Sequence, residues 1–199
     1  MMVKICGITN LEDALAAVDA GAAAIGFNFY RRSPRYITPE AAARIGRALP
    51  GEILKVGVFV NEKPRGVRDV VLRASLDVAQ LHGRTPIPSG IRIWKALPVD
   101  AGFRREQLDD YPAEAFLLDT PAGKLYGGTG RTFDWKLIAG IPNRIILAGG
   151  LDASNVAEAI RVSRPWGVDA CSRIETAPGR KDHAKMEAFL KAALSEQEE

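Results

Sequence analysis

Eight short apolar runs, spread along the whole chain, constrain the fold more than any other feature of this sequence. Several of these runs are apolar at nearly every residue, which is typical of parallel strands that are covered on both faces. We predict strands over Val3–Cys6, Ala23–Phe27, Ile53–Val60, Val78–Leu81, Ile91–Ala96, Ala115–Leu118, Arg144–Leu147 and Gly167–Ala170. Eight strand units in 199 residues leave about 25 residues per unit, which favours a single (β/α)₈ barrel domain over residues 1–199. A doubly wound open sheet is the alternative.

Helix signals lie between several of these strands. We predict helices over Leu11–Ala20, over Ala41–Leu49, in the residues that follow Asn155, and over Asp182–Leu194. Asn10 is a good N-cap for the first helix, and Gly21 suits the position just after its end. The stretch from Gly83 to Gly90 contains two prolines and is too broken for a full helix. We therefore expect a barrel with some short or missing helices.

Composition and charge exclude several classes of function. The chain is 47% hydrophobic and 26% charged, and no apolar run approaches the length of a membrane span. The formal net charge of +3 is too small and too dispersed for a nucleic-acid footprint, although it suits a small anionic substrate. The two cysteines do not indicate a disulfide framework, and we see no secretion signal. We expect a cytoplasmic protein that binds neither nucleic acid nor membrane.

Polar and chemically reactive residues follow the predicted strands at the point where each strand ends. In a barrel the carboxyl ends of the strands meet on one face, and active sites lie there. The residues at these positions are Cys6, Arg35 in a basic loop, Gln80, His82, Asp119, Gly149, Gly150, Ser172 and Arg173. We therefore expect a thiol, a carboxylate, a histidine and arginines to converge on one site.

Two glycine-rich segments have different meanings. Gly149-Gly150 and Ser172-Arg173 follow strands seven and eight, where barrels of this kind bind phosphate through backbone N–H groups. The segment Gly127–Thr132 fits neither the phosphate-loop nor the dinucleotide spacing, so we expect an ordered loop over the site. Only two histidines are present and no metal-ligand spacing occurs, so we predict neither metal nor cofactor.

Three residues have a structural interpretation beside the functional one. Cys6 could pack as a small buried hydrophobe, and His82 could be a packing histidine rather than part of the site. Lys4 lies two residues before Cys6, so both side chains point to the same face of the strand. Lys4 could assist Cys6 or the substrate, or it could be an ion-paired lysine inside the barrel. Strands one and eight are neighbours in a closed barrel, so Cys6 and Cys171 should lie at adjacent strand ends, where oxidation could pair them.

Seven motifs, in order along nearly the whole chain, resemble the phosphoribosylanthranilate isomerase family. They are Lys4-Ile5-Cys6-Gly7-Ile8-Thr9, Gly26-Phe27-Asn28-Phe29-Tyr30 with Ser33-Pro34-Arg35-Tyr36, Val56-Gly57-Val58-Phe59-Val60-Asn61, Gln80-Leu81-His82-Gly83, Leu118-Asp119-Thr120, Gly128-Thr129-Gly130-Arg131-Thr132-Phe133-Asp134-Trp135 and Pro178-Gly179-Arg180-Lys181-Asp182.

The resemblance implies a (β/α)₈ barrel and a cofactor-free Amadori rearrangement in tryptophan biosynthesis. N-(5-phosphoribosyl)anthranilate would become 1-(2-carboxyphenylamino)-1-deoxyribulose 5-phosphate, with Cys6 as general base and Asp119 as general acid. Arg35 matches the family arginine that meets the anthranilate group. We expect the other substrate contacts from Gln80, His82, Gly128, Gly149, Gly150, Ser172 and Arg173, in a monomer or homodimer.

The chain departs from the family pattern near the expected phosphate site. Cys171-Ser172-Arg173-Ile174-Glu175 stands where the family often has Ser-Ser-Gly-Val-Glu, and Ala148 stands where a serine often precedes the glycine pair. Arg173 could add charge for phosphate binding or restrict the loop.

Two alternatives remain open at this stage. One is the related isomerase of histidine biosynthesis, which is expected to use aspartate where this chain has Cys6. The other is a phosphosugar-binding barrel without catalytic activity.

Overall fold

Eight parallel strands close into a barrel in the computed structural model, which describes residues 1–120 and 132–196. Each strand pairs with the next, and β1 also pairs with β8, from Met2 opposite Gly167 to Ile5 opposite Ala170. The predicted barrel is therefore confirmed, and the open sheet was the wrong alternative. The strands are β1 (Met2–Cys6), β2 (Ala24–Asn28), β3 (Leu54–Val60), β4 (Val78–His82), β5 (Ile93–Pro98), β6 (Ala115–Asp119), β7 (Ile145–Leu147) and β8 (Gly167–Ala170).

Five α-helices cover parts of the outside of the barrel in the described residues. They are α1 (Leu11–Asp19), α2 (Pro39–Arg47), α3 (Pro64–Ala74), α4 (Val156–Ser163) and α5 (His183–Ser195). Residues 83–92 between β4 and β5 form no helix, and short 3₁₀ turns at Arg105–Leu108 and Trp135–Ile138 follow β5 and β6. The expected short and missing helices are thus confirmed. None of these helices combines the length and the apolar character needed to cross a bilayer.

Local signals explain where the first two helices begin. The Asn10 side chain accepts a hydrogen bond from the Asp13 N–H at 2.9 Å, and Thr38 accepts one from the Ala41 N–H at 3.2 Å. Both bonds satisfy backbone donors that have no partner within the helix. Gly21 follows α1 with φ of +102°, a conformation that glycine adopts without a steric penalty.

The barrel has separate cores inside and outside its wall, because side chains alternate along a strand. Outward-facing residues of the strands, such as Val3 and Ile5, belong to a core that includes residues of the helices, such as Phe189. A second cluster fills the inside of the barrel and comprises Met2, Ala24, Val56, Val78, Trp94, Ala96, Ala115, Leu117, Ile146 and Ala148. Met2, Lys4 and Cys6 share a face, so β1 directs a lysine and a thiol into the barrel above this apolar layer.

A small hairpin, which the sequence did not predict, joins β8 to α5. After a 3₁₀ turn at Ser172–Ile174, β9 (Glu175–Ala177) and β10 (Arg180–Lys181) pair antiparallel. The Lys181 N–H donates to Asp13 Oδ2 at 2.9 Å, and His183 Nε2 lies 2.9 Å from Asp13 Oδ1. Asp13 of α1 therefore fixes the hairpin and the start of α5, and the half-buried His183 is part of this contact rather than simply a surface residue.

Replacing Phe189 by alanine should destabilise the fold strongly. Phe189 is fully buried on α5, which contacts α1, α4 and β1, so truncation should leave a cavity and cost about 3–5 kcal/mol of unfolding free energy. Urea titration followed by circular dichroism measures this cost. Leu72→Ala is the matched control, because Leu72 is 79% exposed and should change stability by no more than about 0.5 kcal/mol. Equal effects of the two substitutions would contradict the assignment of α5 to the core.

Candidate active site

A single cavity at the carboxyl ends of the strands contains every predicted site residue that the structure describes. Its walls include Cys6, Arg35, Gln80, His82, Asp119, Gly149, Gly150, Ser172 and Arg173. Gly128, the remaining predicted residue, lies outside the described residues, as does the glycine-rich segment before Thr132. The cavity is also lined by Asn28, Ser33 and Asp169, to which the sequence analysis assigned no role in the site, and by Cys171, which it placed beside Cys6.

A buried ion pair lies directly beneath the cavity. Lys4 Nζ donates to Asp169 Oδ1 at 2.7 Å, and the Lys4 side chain is completely inaccessible to solvent. Burial favours the neutral lysine, but the charges of Asp169 and Cys6 outweigh it and raise the pKa of Lys4 above its ordinary value. Burial raises the pKa of Asp169 above its ordinary value, and the positive charge of Lys4 opposes this shift. Lys4 therefore keeps its positive charge inside the barrel, as expected of an ion-paired lysine, and its assistance to Cys6 stays a prediction.

Cys6 is positioned to exist as a thiolate. It is 9% exposed at the end of β1, and a Cβ on Gly26 of β2 would lie 2.9 Å from Cys6 Sγ and 3.1 Å from Lys4 Cε. The missing side chain of Gly26 therefore makes room for both groups. A hydrogen bond from Cys171 lowers the pKa of Cys6, and the positive charge of Lys4 lowers it further, so that it lies well below the ordinary value although burial opposes the shift.

The pKa of Asp119 is shifted in the opposite direction, upward. Burial raises its pKa to about 6, and the negative charge of Cys6 contributes in the same direction, while a hydrogen bond from the Thr120 backbone opposes both. A Cβ on Gly149 would lie 2.7 Å from Asp119 Oδ1, so the glycine allows the end of β7 to approach the carboxyl group closely. The cavity therefore holds a carboxyl group that is protonated more readily than usual and a thiol that loses its proton more readily.

Gln80 and His82 form one polar wall of the cavity. Gln80 Nε2 lies 2.8 Å from His82 Nε2. Burial, together with the charges of Lys4 and Lys95, lowers the pKa of His82 to about 3, so this histidine is neutral near pH 7. Gln80 Oε1 is buried and has no hydrogen-bond partner among the described residues. A buried acceptor without a protein partner is well suited to bind a hydroxyl group of a ligand.

Arg35 is held in place by Glu175 of the hairpin. Its Nε donates to Glu175 Oε1 at 2.9 Å, and its Nη2 donates to Glu175 Oε2 at 2.7 Å. Lys181 Nζ also donates to Glu175 Oε1, at 3.0 Å. The bidentate hydrogen bond raises the pKa of Arg35 above its ordinary value, so the guanidinium stays charged at the edge of the cavity.

The far side of the cavity combines glycine backbone with Arg173. Gly149 and Gly150 have φ of +92° and +66°, which other residues adopt only with strain. Ser172 and Arg173 begin the 3₁₀ turn after β8. Arg173 Nε donates to Asp152 Oδ2 at 2.7 Å, so part of the positive charge that the sequence suggested is already paired.

Two residues of the site, Asp169 and Glu175, were not predicted from the sequence. Asp169 faces inward, as the alternation of side chains along β8 would have shown, and its register opposite Lys4 follows from the closed barrel. Glu175 had no such signal, because the hairpin that carries it was not predicted. In the described residues no group of three or more His, Cys, Asp or Glu side chains is arranged to hold a metal ion.

Comparisons with known proteins agree on one family. A family model described as N-(5'-phosphoribosyl)anthranilate (PRA) isomerase matches residues 3–192. The N-(5'-phosphoribosyl)anthranilate isomerase of Solibacter usitatus is 56% identical over 196 residues, which cover 97% of each chain.

Solved structures give the same answer. The crystal structure of phosphoribosyl anthranilate isomerase from Thermotoga maritima superimposes with a TM-score of 0.91 and 45% identity, covering 98% of this chain and 99% of that one. A further phosphoribosyl anthranilate isomerase structure, in complex with reduced 1-(o-carboxyphenylamino)-1-deoxyribulose 5-phosphate, has a TM-score of 0.86 and 43% identity at the same coverage.

The titration of Asp119 should respond to the charge of Cys6. In the wild-type protein we expect the Asp119 carboxyl to titrate near pH 6, and in Cys6→Ser the pKa should fall because the neighbouring negative charge is removed. Carbon-13 NMR of labelled aspartate measures both values, with Asp119→Asn identifying the resonance. Asp152 is the internal control, since its pKa should stay below the ordinary value in both proteins. An Asp119 resonance that titrates near 4 in the wild-type protein would contradict the assigned environment.

Proposed function

Since this chain belongs to the N-(5'-phosphoribosyl)anthranilate isomerase family, we propose that its cavity performs the rearrangement with Asp119 as general acid and Cys6 as general base. The protein is an isomerase of tryptophan biosynthesis that converts N-(5-phosphoribosyl)anthranilate to 1-(2-carboxyphenylamino)-1-deoxyribulose 5-phosphate. The observation that carries the assignment of roles is the divergence of two pKa values within one cavity, upward for Asp119 and downward for Cys6. Such divergence is typical of acid and base pairs in active sites.

Asp119 opens the sugar ring. The carboxylic acid gives its proton to the ring oxygen of the furanose, the bond between C1' and that oxygen breaks, and an iminium ion forms at C1'. A carboxyl group with a pKa of about 6 is partly protonated near neutral pH, whereas an ordinary aspartate is almost fully ionised there. The enclosed position of Asp119 at the end of β6 thus supports its role as the acid.

Cys6 completes the rearrangement. Its thiolate takes the proton from C2', and the electrons of the C2'–H bond neutralise the iminium, which gives an enol. Addition of a proton at C1' and loss of the proton of the C2' hydroxyl then convert the enol to the ketone. A thiolate needs nearby positive charge to exist at neutral pH, and the buried Lys4 supplies it from the same strand. We infer that Lys4 acts on the base through its charge, with Asp169 holding Lys4 in position at 2.7 Å.

The remaining contacts orient the substrate. Arg35, fixed by Glu175 at the edge of the cavity, is suited to bind the carboxylate of the anthranilate group. The unpaired Gln80 Oε1 is available to accept a hydrogen bond from a sugar hydroxyl, and neutral His82 lies beside it.

The phosphate group would bind at the opposite side of the cavity. Gly149 and Gly150 present backbone there without side chains, and Ser172 and Arg173 face the same space. We assign Gly128 to the substrate site as well, on the family motif that contains it.

The two neighbouring thiols bear on the cellular compartment in which the enzyme acts. Cys6 and Cys171 are both free and lie side by side, and neighbouring thiols stay reduced most readily in a reducing compartment. We therefore propose that the enzyme acts in the cytoplasm on a small phosphorylated substrate, without metal, cofactor or nucleic acid, as a monomer or a homodimer.

Removing either proposed catalytic group should abolish turnover and spare binding. We expect Cys6→Ala and Asp119→Asn each to lower kcat by about 10²–10⁴-fold, the usual contribution of a positioned acid or base. Loss of anthranilate fluorescence with freshly generated substrate measures turnover, and calorimetry with the reduced product analogue measures binding. Leu72→Ala is the control that should keep full activity. A folded wild-type protein that binds the analogue and turns nothing over would instead support the binding barrel without catalytic activity.

The activity of the free enzyme should decline as the pH rises through about 6. Asp119 acts only when protonated, and its pKa is about 6, so kcat/KM should approach a decrease of about tenfold per pH unit above that value. Thermal melting across the same pH range controls for unfolding. An alkaline limb centred above pH 8 would contradict Asp119 as the acid.

A further inference from the structure

Cys171 lies directly beside the proposed catalytic base. The register between β1 and β8 pairs Ile5 with Ala170, so the next residue of each chain segment brings Cys6 and Cys171 to adjacent positions. Both residues line the cavity, and both are free thiols. A Cβ on Gly7 would lie 3.0 Å from Cys171 Sγ, so the glycine after Cys6 makes the room that Cys171 occupies.

The register of β1 and β8 puts the two thiols side by side on the wall of the cavity, and their surroundings decide which one keeps its proton. Cys6 Sγ lies beside the aliphatic end of Lys4, whose charge is buried and strongly retained. The hydrogen bond from Cys171 is the largest of the influences that lower the pKa of Cys6, and the same contact raises the pKa of Cys171. Because Lys4 lies on the same face of β1 as Cys6, the site favours negative charge on Cys6 and leaves Cys171 as the neutral donor.

Other charged and titratable groups act on Cys6 from several elements. They are Lys4 on β1, Arg35 in the loop after β2, Asp119 on β6, Asp169 on β8 and Lys181 on β10. Lys181 stabilises the thiolate through charge alone, and Lys4 does so through charge and a hydrogen bond. Cys171 differs from both because it is a neutral donor.

We propose that Cys171 is a positioning residue whose S–H group donates a hydrogen bond to the Cys6 thiolate and holds that sulfur ionised at the floor of the cavity. This inference rests on the proposed role of Cys6 as the base. The Cys6 thiolate is stabilised by the hydrogen-bond donor at residue 171 and not by the sulfur as such. A serine hydroxyl at this position should therefore stabilise the thiolate as well. Serine and alanine differ only in the hydroxyl group, so they compare a donor with no donor, and valine adds a donor-free side chain that leaves no cavity.

The test compares Cys171→Ser with Cys171→Val and Cys171→Ala. The rate at which iodoacetamide alkylates Cys6, followed by mass spectrometry as a function of pH, reports the thiolate directly and needs no turnover. We expect the midpoint to rise by about one pH unit in the valine and alanine variants, the effect of losing one hydrogen bond to a charged group. The serine variant should stay close to the wild-type midpoint. Circular dichroism and urea unfolding identify any variant that does not fold. If either Cys171→Val or Cys171→Ala fails to fold, the other still tests the loss of the donor.

The acidic limb of kcat/KM supplies the second measurement. The midpoint of this limb should rise together with the alkylation midpoint in the valine and alanine variants. In the serine variant it should lie close to the wild-type value. Unchanged alkylation midpoints, or equal shifts in all three variants, would overturn the role of Cys171. Alkylation midpoints that shift while the kcat/KM profile does not would keep the hydrogen bond and refute Cys6 as the base, so failure of this inference is distinguishable from failure of the proposed function.

Discussion

The buried ion pair between Lys4 and Asp169 is the interaction on which the site depends. It joins the first and last strands of the barrel at 2.7 Å, inside the wall and directly beneath the cavity. Removing two charges from water is costly, and their attraction commonly does no more than offset that cost. The pair is therefore better understood through its electrostatic effect than as a source of stability. It keeps a positive charge fixed where water cannot screen it, next to Cys6.

The same enclosed environment shifts the acid and the base in opposite directions. Burial alone disfavours both ionised groups and would raise the pKa of Asp119 and of Cys6 alike. Cys6 escapes this effect because Cys171 and Lys4 stabilise its thiolate. For Asp119, the backbone hydrogen bond from Thr120 and the charge of Lys4 do not offset burial and the negative charge of Cys6. A negative charge on Cys6 disfavours a second negative charge on Asp119, so the ionised thiol and the protonated carboxyl group occur together.

The sequence predicted the barrel well because its strands carry their own signals. Apolar runs placed all eight strands within about two residues of their ends, and Asn10 correctly marked the start of α1. Helix α3 (Pro64–Ala74) was missed because Lys63 makes no side-chain cap and the helix ends at Ser75 rather than at glycine. The hairpin of β9 and β10 was missed because strands of three and two residues have no periodicity to detect.

Prediction of the site succeeded where position along a strand decides what faces the cavity, and failed where a contact between distant segments decides it. Cys6 and Asp119 follow from the first rule, and so would Asp169, had the alternation along β8 been followed inward from Cys171. The contact between Arg35 and Glu175 could not be predicted, because 140 positions separate the two residues and only the folded hairpin brings them together. Glu175 determines where the Arg35 charge is held and so which part of the cavity can accept a carboxylate. The position of the Arg35 charge therefore depends on the segment whose structure was hardest to predict, while the proposed acid and base lie on the strands that were easiest.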